Sequence, residues 1–196
     1  MVRNKYKLVL GVGINDADYN VQPYANGKQG CCKIYQKWKD MLRRCYSKNQ
    51  KTKHPSYVGC VVSEDWLRFS NFRKWCVEQN NEDGHLDKDL LSGSRRGKLY
   101  SSQTCVLISR SLNNFLQDRK LTTLPTGVLW KELNKKYQAR CCNPFTGKRE
   151  SLGMFDCEME AHFAYAKRKR EHALVFADNC TDLRIRQALL VMDFLD

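Results

Sequence analysis

GVLWKELNKKYQARCCNPFTGKRESLGMFDCEMEAHFAYAKRKREHALVFA, residues 127–177, is the stretch whose reading decides the rest of the chain. Tyr137, Ala139 and Cys141 alternate with Gln138, Arg140 and Cys142. That period of two predicts a strand with one face turned inward and Arg140 presented on the other. Asn143-Pro144-Phe145-Thr146-Gly147 reads as a hairpin loop, with Gly147 free to take a positive φ. Between residues 158 and 177 there is neither proline nor glycine, and Ala161, Tyr165, Arg168 and His172 mark one helical face with Ala164 beside it. The expectation is three short antiparallel strands backed by one long helix. Lys131, Lys135, Lys136, Arg140, Lys148 and Arg149 lie on or beside the strands. A small sheet carrying exposed cations can enter a DNA major groove, which is about 12 Å wide.

This stretch resembles the Apetala/ethylene-response-factor DNA-binding domain. The residues that carry the resemblance are Gly127-Val128, Tyr137-Gln138-Ala139, Leu152-Gly153-Met154-Phe155, and Glu158, Glu160, Ala161 and Tyr165. The resemblance implies a sheet that contacts duplex DNA, with Arg149 matching a groove-facing arginine. Leu129, Cys142 and Ser151 stand where that family often carries arginine or tryptophan, and Arg140 where an acidic residue is common.

Charge points the same way. Lys and Arg outnumber Asp and Glu by 34 to 21, a net +13, and the sequence pI is about 9.3. Such an excess favours a polyanion, because counterions released from phosphates drive binding. The alternative is a solvated basic surface without a partner, and the KRKR run at residues 167–170 reads most simply that way. A membrane partner is not expected, since no basic segment carries a broad apolar face and no apolar run approaches the ~20 residues that span a bilayer.

Ten cysteines contain no Cys-x-x-Cys, and the adjacent pairs Cys31-Cys32 and Cys141-Cys142 cannot each turn both thiols to one ion from a regular strand. No zinc is expected, although Cys45, Cys60, Cys76 and His54 leave a site built from distant residues open. Without a secretory leader the chain reads as intracellular with reduced thiols, most of them small buried hydrophobes.

The fold class expected is α+β: an extension over residues 1–30, a helical and ββα module over 31–120, the sheet-and-helix module over 126–178, and a last helix over 181–196. The break between modules is placed at residues 121–126, where threonines and a proline interrupt any helix. Residues 6–12 suggest a strand. Tyr35, Trp38, Leu42 and Tyr46 recur at steps of three or four, predicting an amphipathic helix over 33–47. A lysine-rich loop over 47–54 follows, then a short strand at Cys60-Val61-Val62. Ser63 is positioned to cap a second helix with Trp66, Phe69, Phe72 and Trp75 spaced by three, read as core rather than as base-stacking platforms.

An alternating strand over 84–91, a basic turn over 92–98, a second strand over 100–107 and a helix starting near Ser109 follow the ββα order of an HNH-type nuclease site. Asp87 and Asp89 are expected on one face of their strand, and Asn113 or Asn114 could complete an oxygen-donor Mg²⁺ site. With the blocks YQKWKDMLRRCY, PSYVGCVVSEDWLRFSNFRKW, LDKDLL and LYSSQTCVLISRSLNN in the same order, residues 33–177 resemble phage-encoded HNH-type homing endonucleases. The resemblance implies a double-stranded DNA target, a location in the cytoplasm of an infected bacterium, and Mg²⁺ if cleavage occurs. Where a full site has Asp-His, this chain has Asp87-Lys88, and a lysine with its ordinary pKa of about 10.4 cannot take a proton near neutrality. Three readings stay open. His85, on the same strand face as Asp87, replaces the base; Lys88 stabilises developing phosphate charge; or the site has decayed and only binding remains, as in a phage regulator or anti-host factor. The catalytic set under the first two readings is His85, Asp87, Lys88, Asp89 and Asn113.

Thr181 or Asp182 can cap the last helix, whose stripe Ile185, Leu189 and Met192 asks for burial, either on the sheet or against a second copy in a homodimer. An acidic host protein is the alternative partner for the basic surface, and single-stranded RNA a weaker one, since an RNA reader more often exposes aromatics on its sheet and Tyr137 is the only obvious candidate here.

Overall fold

A computed structural model describes residues 8–25, 28–92, 97–117 and 123–195. The strand expected over 6–12, the basic turn over 92–98 and the break over 121–126 fall partly outside those residues. The protein is α+β and divides into two compact units, Met1–Ser109 and Arg110–Asp196.

The first unit begins with a hairpin, β1 (Leu8–Val9) and β2 (Gly13–Ile14). Leu10 and Gly11 turn it with positive φ, and a Cβ on Gly13 would overlap Trp38 and Leu42. A second pair, β3 (Tyr24–Ala25) and β4 (Lys28–Gln29), leads to α1 (Lys33–Tyr46) and α2 (Lys48–Lys53). A 3-10 turn at Pro55–Tyr57, β5 (Val61–Val62) and another 3-10 turn at Glu64–Leu67 precede α3 (Phe69–Glu78). Last come β6 (His85–Asp87), β7 (Leu99–Tyr100) and β8 (Val106–Ile108). β6 pairs antiparallel with β8, whereas β7 pairs parallel with β5.

The aromatic steps of α1 and α3 bury as their spacing requires. Trp38, Met41, Leu42 and Cys45 pack with Trp66, Phe69, Phe72, Trp75 and Cys76 into one core. Trp66 meets Phe72 edge-on at 5.0 Å and Trp75 at 4.6 Å. Trp38 donates its indole N–H to the Trp66 carbonyl at 2.7 Å, so its one polar atom is satisfied inside the core. None of these rings is available to stack on bases.

Two local expectations change. The lysine-rich stretch after α1 is a helix, not a loop: the Ser47 side chain accepts from the Gln50 N–H and caps α2. Ser63 makes no side-chain cap; it precedes the 3-10 turn that buries Trp66. The cap of α3 comes from Asp16, far away in sequence, which accepts from the Ser70 backbone N–H at 2.9 Å and from its hydroxyl at 2.8 Å.

The second unit contains α4 (Arg110–Leu116), β9 (Val128–Lys131), β10 (Lys136–Cys142), β11 (Arg149–Phe155), α5 (Glu158–Asp178) and α6 (Leu183–Val191). The three strands form one antiparallel sheet with β10 in the centre and a register shift between Ala139 and Arg140. Val128 and Ala139 on the sheet bury against Ala161 of α5, with Tyr137, Leu152 and Phe155 packed around them. Phe115 of α4 lies 5.2 Å from Phe176 and 5.9 Å from Phe194, ring to ring. Those contacts hold α4 in the second unit, so the units part before the break expected at 121–126.

The last helix is capped by Asp182, which accepts from the Arg184 N–H at 2.8 Å. It ends at Val191 and packs on α5, burying Ile185 and Leu189. The stripe is therefore covered within the chain, by a helix and not by the sheet. The KRKR run is not a solvated face either. Of the four, only Lys167 is exposed. Arg168 pairs with Glu150 at 2.7 Å and with Glu171 at 2.7 Å. Lys169 is 5% exposed and sits over the rings of Phe115, Tyr165 and Phe194 at 5.1–5.7 Å. Arg170 donates to the carbonyls of Leu189, Leu190 and Met192 at the end of α6.

Candidate nucleic-acid interface

Directly opposed residues in an antiparallel pair project to the same side of the sheet. One side of β9–β11 carries Val128, Trp130, Tyr137, Ala139, Cys141, Glu150 and Phe155 and faces α5. The other is open and reads as rows across the sheet. Lys131 stands opposite Lys136, Leu129 and Met154 flank Gln138, Arg140 stands opposite Ser151, and Cys142 opposite Arg149. At about 3.4 Å per residue, the lysine row and the Arg149 row lie about 20 Å apart.

The cations therefore gather at both ends of the open face. Lys135 sits in the β9–β10 turn with φ +51, held by Glu132, and Lys148 is exposed in the β10–β11 turn beside Arg149. Lys136 shares a 3.2 Å surface pair with Asp156. Among the described residues, no carboxylate pairs with Arg140 or Arg149. The one acid within the strands, Glu150, points to the helix side. There the Arg168 guanidinium, seconded by the Asn143 amide, holds its pKa down to about 2. A sheet that sends its carboxylate inward and sets Lys131 against Lys136 places like charges opposite one another on its outer face, which the exposed Asp156 beside Lys136 offsets only in part.

Gln138 and Ser151, which the sequence reading left without a role, join this face. Gln138 donates its amide N–H to the Ser151 hydroxyl at 3.1 Å and accepts from Arg140 Nε at 3.0 Å. Tyr137 turns toward α5, as its alternation with Gln138 predicts, so none of the aromatic side chains of β9–β11 lies on the open face.

The first-unit residues expected to be catalytic are arranged differently from that expectation. β6 ends at Asp87, so Asp87 and Asp89 do not share a strand face: Asp89 lies in the bend that follows. Asp87 Oδ1 accepts the backbone N–H groups of Asp89 at 3.0 Å and Leu90 at 2.8 Å, shaping that bend. Lys88 is 6% exposed, with Nζ 2.5 Å from Asp89 Oδ1 and over the Tyr100 ring at 5.9 Å. Burial raises the Asp89 pKa, against the pull of the Lys88 ammonium. His85 is exposed, two residues along the strand from Asp87.

Asn113 and Asn114 lie on α4 in the second unit, where Asn114 borders a cleft of about 580 Å³. Among the described residues no three His, Cys, Asp or Glu side chains converge as a metal site. With one Asp87 oxygen committed to the bend and one Asp89 oxygen to an ammonium, the pair is a poor oxygen set for Mg²⁺.

Comparison with protein-family models, with curated proteins and with solved structures gives no match.

Proposed function

We propose that the protein binds double-stranded DNA, with the open face of β9–β11 in the major groove. The observation that supports this best is the distribution of charge on that sheet. Lys131, Lys136, Arg140 and Arg149 stand on one side and the single strand carboxylate on the other. The repulsion of Lys131 and Lys136 is relieved by phosphate, and the span of about 20 Å between outer rows exceeds the groove's ~12 Å width. The absence of aromatic rings from the open face favours a duplex over a splayed single strand, which is held by stacking. The resemblance to phage HNH-type homing endonucleases agrees with a duplex target in an infected bacterial cell.

The commitment of Asp87 to the bend and of Asp89 to the Lys88 ammonium favours binding without cleavage, as in a phage regulator or anti-host factor. Mg²⁺-dependent nicking is the second reading, supported by the exposure of His85 on the same strand as Asp87. Two measurements test these readings. Fluorescence anisotropy on a duplex should give binding that weakens with salt at a log–log slope of roughly −0.9 per phosphate contacted. Binding that ignores salt, or binding to an acidic protein alone, overturns the DNA reading. Incubation with supercoiled plasmid in Mg²⁺ or Mn²⁺ should leave the circles intact; nicks lost in Asp87→Ala, with binding retained, establish the enzyme instead.

A further inference from the structure

The open face divides into two kinds of position. Its outer rows hold Lys131, Lys136 and Arg149, extended by Lys135 and Lys148 in the two turns. Its middle holds Leu129, Gln138 and Met154 in one row and Arg140 with Ser151 in the next. Arg140 is the one cation of this middle, and it is tethered there. Its Nε donates to Gln138 Oε1 at 3.0 Å, and the Gln138 amide is fixed in turn by Ser151 Oγ at 3.1 Å. With Nε taken up by Gln138, the two terminal nitrogens of the half-buried guanidinium are the donors left for a ligand. The outer cations have no such tether: Arg149 is exposed, and Lys136 meets only a surface carboxylate.

Resting on the duplex-binding reading above, we infer that Gln138 is a positioning residue that holds Arg140 for the bidentate readout of one guanine, while the outer cations grip phosphates alone. The chemistry is specific to guanine, whose major-groove edge offers two acceptors, N7 and O6, at the spacing of a guanidinium fork. Both polar ends of Gln138 are already occupied, so it does not read adenine itself. Leu129 and Met154 on either side of it present apolar surface, which suits the 5-methyl group of thymine. The substrate class is then a duplex with one required guanine and thymine-tolerant neighbours, gripped at its flanks without regard to sequence.

Selection from a randomised duplex pool with the full chain tests this, followed by anisotropy on the selected site and its single-base variants. Wild type should prefer guanine at one position by about tenfold or more. Arg140→Ala should erase that preference and leave the salt slope nearly unchanged. Arg149→Ala should weaken every sequence alike and lower the slope by about one. Gln138→Leu should relax the same guanine position, and Gln138→Glu, which keeps an acceptor for Arg140 Nε, should restore it. All three positions are on the open face, and circular dichroism checks that each of the four variants is folded. Duplex binding without any guanine preference, or a preference that survives Gln138→Leu, overturns this inference and leaves the DNA reading standing. No duplex binding by wild type overturns both.

Discussion

Gly127 meets the ring of Tyr165 so closely that a Cβ would overlap it, and its φ of +83° is one that side-chain-bearing residues avoid. Its carbonyl accepts from the Arg140 N–H at 2.8 Å, so the same residue anchors β10. Gly127→Ala should cost about 2–4 kcal/mol, from overpacking and left-handed strain together, read as a lower urea midpoint with unchanged slope. Burial, then the neighbouring Arg168 cation, keep the His172 pKa below 6.5. The unfolded chain therefore takes up that proton first, and stability falls as pH drops below 6.5. Glu150, held down to about 2 by Arg168, contributes stability that is present above 4.5 and lost as pH falls from 4.5 toward 2. Urea midpoints across pH should show both declines, with Glu150→Gln shrinking the lower one and His172→Phe the upper. At this scale the sequence was legible where period alone decides: Tyr137, Ala139 and Cys141 turn inward as their alternation requires. The tether from Gln138 to Arg140 was not, because it depends on rotamers that no spacing encodes.

Among the elements, α6 depends most on a single partner. Its C-terminal carbonyls, left without helical donors, are met by the Arg170 guanidinium. Arg170→Ala should cost about 1–2 kcal/mol and speed hydrogen exchange in residues 183–191 while that of 158–170 stays slow; equal protection of both would refute the role. The helix α1 was legible because Tyr35, Trp38, Leu42 and Tyr46 recur at helical steps. Its neighbour α2 was not: KNQKTK has no apolar residue, so there is no period to detect, and the helix rests on the Ser47 cap. The parallel pairing of β5 with β7 is equally silent in sequence, since the strands are two residues each and meet across a long separation. Asp89 was placed on a strand that stops two residues earlier, because the Asp87 carboxylate closes a bend around the following N–H groups.

For the whole molecule, all ten cysteines are free, and burial sorts them. It pushes Cys45, Cys76 and Cys105 up to about 12, whereas Cys142 and Cys157 are exposed. A thiol reagent at neutral pH should modify Cys142 and Cys157 rapidly and Cys45, Cys76 and Cys105 only after denaturant, as peptide mapping will show. Fast modification of the buried three would mean that the first-unit core opens readily. The net +13 was read as surface charge, yet part of it is internal: Lys88, Arg168, Lys169 and Arg170 each have close partners inside their own unit. Counting charges pointed to a polyanion without showing where the cations stand, whereas the strand register places Lys131, Lys136, Arg140 and Arg149 on one side of the sheet.

The locked KRKR run has a practical consequence. Four consecutive basic residues look like the first place trypsin would cut. Because they lie within α5, with three of the four side chains engaged, limited digestion of the native protein should spare residues 167–170. Among the described residues of the second unit, Lys148, exposed in the β10–β11 turn, should be cut before them.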